Sequence, residues 1–158
     1  MRLYVKATGG PTLTVVEAIT FAIALVGAVL GVINTWRALD ASRVKLKVVP
    51  GHAIPVGGFD PSVNFYIAVT NLSTFPVTIR EVGIVYRGSD KRGVFVNPIL
   101  ADGGPWPRRL EPRSSISVYG QRPDIMPGHP IRCAYAETDC GVRKCGNSPA
   151  LKQIAAGR

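Results

Sequence analysis

Few residues in this sequence are of types that do chemistry, and their spacing is unhelpful. Cys133, Cys140 and Cys145 follow one another near the C-terminus, with His129 just upstream. Cysteine and histidine are zinc ligands when short, paired spacings bring four of them together. The Cys-x6-Cys-x4-Cys pattern matches no standard zinc module, and Cys133 falls at an inward position of a strand pattern. Buried or idle thiols are therefore expected, with no metal and no cofactor assigned. An odd number of cysteines favours a reducing compartment. A disulfide between two of the three stays open if the domain lies outside the cytoplasm. The other histidine, His52, sits like His129 in a Pro/Gly-rich loop, and no motif pairs either with a nucleophile. No phosphate-cradling glycine loop and no calcium-loop pattern occurs. Arg108, Arg109 and Arg113 read as solvated loop charges. The expectation is a protein that is not an enzyme.

Surface recognition is the remaining kind of chemistry. Trp106 stands on the rigid turn Asp102-Gly103-Gly104-Pro105-Trp106-Pro107, and Phe75 precedes Pro76. Loop aromatics are favoured contact anchors, so both are candidate partner contacts, although a Trp in a small domain also serves to plug a core.

The elements that carry these residues differ along the chain. Residues 13–33 read LTVVEAITFAIALVGAVLGVI, with Glu17 as the single charge. At helical rise such a run spans about 30 Å, the thickness of a bilayer's hydrocarbon core. Glu17 lies near its start, where it reaches headgroups or favours the helix N-terminus. Trp36 and Arg37 follow where interfacial aromatics and cations gather. The run is too long for a cleaved signal, and Trp36, Arg37 and Asp40 occupy the place where cleavage would fall. Gly10-Pro11 ahead of Glu17 looks like a pilin processing site, but Glu17 comes two positions late and Pro11 is wrong for a first mature residue. A retained anchor is expected. Gly27 and Gly31 form a GxxxG pair within a stripe of small residues, which points to a homodimer through the transmembrane helix.

The formal charge of +9 is concentrated in part just past this run. Arg37, Arg43, Lys45 and Lys47 face only Asp40 there. Such a flank suits the anionic surface of a lipid bilayer at about 1 kcal/mol per cation. Nucleic acid is not expected, because the remaining charge is scattered and no recognition motif accompanies it. Arg2 and Lys6 precede the run, fewer cations than follow it, which places the C-terminal domain on the cytoplasmic side by the positive-inside rule.

Beyond the anchor the hydrophobic period becomes two. Strands are expected at 43–49, 62–70, 77–87, 94–97, 115–119, 131–138 and 142–146. The apolar phase slips by one residue across 80–83, which predicts a β-bulge. A tight hairpin is expected at Asp139-Cys140-Gly141. Ser148 and Pro149 open a short helix as N-cap and first residue, with Leu151 and Ile154 on one face. The fold expected is mainly β: an N-terminal transmembrane α-helix, a seven-stranded immunoglobulin-like β-sandwich and a short C-terminal helix. Its organisation is an N-terminal flank at 1–12, the transmembrane helix at 13–36, a basic linker at 37–42 and the sandwich at 43–158.

Three stretches also carry a resemblance. They are the span running into Asn34-Thr35-Trp36-Arg37 and the Val44-Lys45-Leu46 strand, the segment 69–79 with Glu81-Val82-Gly83, and the segment 109–115 followed by Ala134-Tyr135 and a hairpin. Together they resemble small bacterial and prophage single-pass membrane proteins with a C-terminal β-sandwich. The resemblance implies location and fold and brings no activity with it. The function expected is a membrane-anchored interaction or scaffold module with a protein partner yet to be found. The alternative is a phage-encoded envelope factor that modifies the host membrane, as an exclusion or lysis accessory.

Overall fold

The structure is a computed structural model that describes residues 14–54, 60, 62–125 and 128–157. The flank 1–12 with Arg2 and Lys6, Leu13 at the start of the expected span, and parts of the loops at 50–58 and 123–130 lie outside the described residues. The chain divides into two compact units, a helical one ending at Ala41 and one beginning at Ser42.

The first unit is α1 (Val15–Ala41), long and apolar enough to cross a membrane. Its start is a capping box. The Thr14 amide and hydroxyl donate to Glu17 Oε2 at 2.8 and 2.9 Å, and the Glu17 amide donates to Thr14 Oγ1 at 3.4 Å. Two otherwise orphaned amides are satisfied in this way, which gives the lone acid of the run a local role. Thr20 and Thr35 turn their hydroxyls back onto the carbonyls of Val16 and Gly31, at 2.8 and 2.9 Å. Each thereby hides a polar group on an apolar surface. No helix breaker follows Trp36, so the helix continues through Arg37 and Asp40, and residues 37–41 of the expected linker are helical.

The second unit is a β-sandwich with nine strands among the described residues: β1 (Leu46–His52), β2 (Phe65–Asn71), β3 (Val77–Tyr86), β4 (Arg92–Val94), β5 (Ile99–Leu100), β6 (Arg108–Leu110), β7 (Ser115–Gly120), β8 (Ile131–Thr138) and β9 (Arg143–Gly146). One sheet runs β1-β2-β7-β5 and the other β4-β3-β8-β9, with β6 also on β3, and every pairing is antiparallel. Leaving β6 aside, that is the A-B-E-D and C′-C-F-G order of an immunoglobulin-type sandwich. The short β5 and β6 are additions to the seven expected strands. β4 meets the expected 94–97 only at Val94, because the Phe95 ring turns in to pack edge-on against Phe65, 6.1 Å away.

Alternation supplies the core. Phe65, Ile67, Val69 and Val118 of the first sheet meet Ile79, Val82, Ile84, Ala134 and Ala136 of the second. The closing α2 (Pro149–Ala155) adds Leu151 and Ile154 to the same core, capped as expected by Ser148, whose Oγ accepts from the Leu151 amide at 3.1 Å. β9 comes so near β1 that a Cβ on Gly146 would collide with the Val48 carbonyl. Only glycine lets the two backbones approach there. At the β2–β3 corner the buried Asn71 donates from Nδ2 to the carbonyls of Phe75 (2.9 Å), Leu110 (3.1 Å) and Glu111 (3.3 Å). Its Oδ1 accepts from the Ser73 amide at 2.9 Å, and Ser73 Oγ accepts from the Lys45 amide at 2.8 Å. The Asn71 amide thus ties the β2–β3 corner to the β6–β7 turn, and Ser73 extends the tie to Lys45 ahead of β1.

Candidate functional site

The densest polar grouping among the described residues lies on the second sheet, on the face turned away from the core. Its origin is the bulge expected near residue 80. Ile79 pairs with Thr138 and Glu81 with Glu137, which leaves Arg80 without a partner in the ladder. The Arg80 carbonyl accepts instead from Trp106 Nε1 at 3.0 Å, and its guanidinium reaches Glu137. A second register shift, between Val85 and Tyr86, leaves Arg132 as the extra residue of β8.

The register then stacks Glu81 beside Glu137, Gly83 beside Tyr135 and Val85 beside Cys133, all on this outer face. Adjacent carboxylates repel, and three arginines offset that repulsion. Arg143 on β9 holds Glu137 Oε2 through Nε at 2.7 Å and Nη2 at 2.5 Å. Arg92 on β4 lies 3.6 Å from Glu137 Oε2 and 3.5 Å from Glu81 Oε1. Arg80 supplies the third cation. The Glu137 side chain is only 7% exposed, yet it lies at the surface, covered by these guanidiniums rather than by the protein interior.

Tyr135 sits at the centre, wholly inaccessible to solvent although it faces outward. Glycine at position 83 leaves room for its ring, Arg143 lies over that ring at 5.1 Å, and its hydroxyl donates to Glu81 Oε1 at 2.5 Å. The arginines, Arg143 first, hold the Glu137 carboxyl below its usual range. Burial, aided by the Glu81 carboxylate, pushes the Tyr135 phenol well above its own. Neither group changes protonation near neutral pH. The cluster locks β3, β4, β8 and β9 together.

Beside it lie two of the three cysteines. Cys133 is buried on the outer face, not inward as its place in the strand pattern suggested, because the shift at Arg132 sets the phase of β8. Burial, followed by a hydrogen bond to Cys145, pushes its thiol up to about 12. Cys140 is exposed in the β8–β9 hairpin, with Sγ 3.1 Å from Thr138 Oγ1. Among the described residues no three His, Cys, Asp or Glu side chains group as a metal set. His129 Nδ1 is buried without a hydrogen-bond partner, and His52 is exposed.

The recognition candidates are dispersed. Trp106 and Phe75 are both half-buried and packed against the core, and Trp106 is further held by its bond to Arg80. Gly27 and Gly31 stand open on α1, where an added Cβ would meet nothing. Trp36, Arg37, Arg43 and Lys47 are exposed, while Lys45 is half-buried with its backbone bonded to Ser73. Arg108 and Arg109 are in β6 rather than a loop, paired with Asp102 at 2.5 Å and Glu111 at 3.1 Å. The Arg80–Glu137–Arg143 lock was missed because it depends on strand register. Its one sequence signal was the phase slip. A shallow depression of about 410 Å³ is lined by Asp60, Ser62, Phe95, Val96 and Tyr119, and there the Ser62 amide donates to Asp60 Oδ1 at 2.9 Å. No protein-family model matches the chain, and no curated protein matches it in sequence.

Proposed function

We propose that this protein is a membrane-anchored, non-enzymatic interaction module, with α1 in the bilayer and the sandwich on the cytoplasmic side. One observation carries the reading: α1 holds a run long and apolar enough to cross a membrane, and none of its residues is buried. Such a surface is costly in water and at rest in lipid, where a helix satisfies its own backbone. The capped N-terminus and the back-bonded threonines support this, since they leave few polar groups to desolvate. The cations Arg37, Arg43, Lys45 and Lys47, with Trp36, suit an anionic inner leaflet. Openness at Gly27 and Gly31 supports self-association of the helix. The exposed parts of Trp106 and Phe75 are the proposed contacts for a protein partner.

Membrane attachment is tested by alkaline carbonate extraction of bacterial membranes carrying the full chain. The protein is expected in the pellet, and release into the supernatant would end the proposal. Orientation is tested on the same cells with a membrane-impermeant maleimide, which the exposed Cys140 and Cys145 can meet. Labelling is expected only after permeabilisation; labelling of intact cells would place the sandwich outside. Gly27→Ile with Gly31→Ile is expected to abolish association in a membrane two-hybrid reporter, and unchanged association would remove the helix pairing.

A further inference from the structure

We propose that Cys133 and Cys145 form a cross-strand thiol pair that closes to a disulfide when the folded protein meets a small-molecule disulfide oxidant. The register sets Cys145 of β9 opposite Tyr135 of β8. Cys133 is the next residue along β8 on the same outer face, so the two thiols are diagonal neighbours. Cys145 also helps to push the Cys133 thiol up, after burial, as a close neighbour would. β9 is a short edge strand with a sheet partner on one side among the described residues, and a sulfur–sulfur bond requires the diagonal to shorten. The remaining cysteine does not compete. Cys140 lies in the hairpin, beyond the rung that joins Glu137 to Arg143, and two residues of strand already separate that rung from Cys145 by about 7 Å.

The unequal exposure of the two thiols sets the order of events. Cys145 is exposed, and Cys133 is only 2% exposed. The Cys145 thiolate attacks one sulfur of glutathione disulfide, which expels one glutathione thiolate and leaves a mixed disulfide on Cys145. Cys133 gives up its proton, and its sulfur attacks Sγ of Cys145 and expels the second glutathione. Two protein thiols are oxidised, one glutathione disulfide is reduced to two thiols, and the released protons end on the glutathione sulfurs. The product joins β8 to β9 on the face where the arginine lock already ties them. An oxidising compartment would hold the pair closed, and a reducing one would keep it open.

The test uses the full chain in detergent micelles, treated with glutathione disulfide, denatured, alkylated and weighed. Wild type and Cys140→Ser are each expected to lose two alkylatable thiols and the mass of two hydrogens. The tryptic peptide beginning at Cys133 should be joined to the one beginning at Cys145. Cys145→Ser, a change at an exposed position that leaves the core alone, is expected to form no internal link. Survival of every alkylatable thiol in wild type would overturn the proposal. So would glutathione adducts without an internal link, a link lost in Cys140→Ser, or a link only between two chains.

Discussion

At Glu137, one carboxylate is shared by three guanidiniums beside a second acid in register. Glu137→Gln removes the charge and leaves the arginines facing one another. Its cost should be about 1–2 kcal/mol, between the values for exposed and buried pairs, because the arginines are themselves partly in water. The pH dependence has a definite sign. The folded state holds this carboxyl below its ordinary value of 4.5, so its contribution is complete above that value and is lost as pH falls through the folded one. Denaturant midpoints of wild type and Glu137→Gln should therefore differ at neutral pH and converge in acid; a constant gap would refute the assignment. Asn71→Ala is a harsher change. It removes the side-chain donor from the Phe75 and Leu110 carbonyls and the acceptor from the Ser73 amide, while the Glu111 carbonyl keeps the Ser114 amide and hydroxyl, and should cost about 3 kcal/mol by the same measurement. The type of Asn71 and its neighbours Ser73 and Pro76 are local signals of a corner. Glu137, Arg92 and Arg143 carried no such signal, since their meeting depends on how distant strands align.

Among the elements, those with several turns or rungs of their own were legible. α1 shows as a continuous apolar run, β2 and β3 show as alternation, and α2 shows through its Ser148-Pro149 start. The phase slip at Arg80 marked a bulge before any partner strand was known, because a bulge shifts which residues face inward. β5 and β6 were not legible: two or three residues cannot establish a period, and only their neighbours make them strands. The capping box at Thr14 and Glu17 shows in the sequence only as a Thr three residues ahead of a Glu, a short signal beside the long apolar run. The approach of β9 to β1 was likewise invisible, since it lies between sheets. Gly146→Ala tests that approach. A methyl there has no space against the Val48 backbone, so the strands must part at a cost of about 2–3 kcal/mol. The mutant should unfold at lower denaturant, with faster amide exchange along β1 and β9 than along β2. Uniformly faster exchange would argue against a local wedge.

At the scale of the molecule, the two units handle their apolar residues differently. The sandwich buries its own apolar side chains and spends Pro50 on one edge strand and Arg143 and Lys144 on another, which discourages pairing with further strands. α1 buries nothing. Residues 42–158 alone should therefore be soluble and monomeric and should unfold in one cooperative transition, with the Glu137 and Asn71 substitutions showing the same costs as in the full chain. The full chain should need detergent or lipid to stay dispersed. Addition of vesicles rich in anionic lipid should leave residues 42–158 mostly in solution, because Arg37 is gone and the cations Arg43, Lys45 and Lys47 alone supply only about 3 kcal/mol of attraction. That attraction should fade with added salt, as expected of charges at a screened surface. Co-sedimentation at low and high salt separates the contributions. Salt-resistant binding of the isolated sandwich would mean that it carries a membrane site of its own, and α1 would then be one of two anchors.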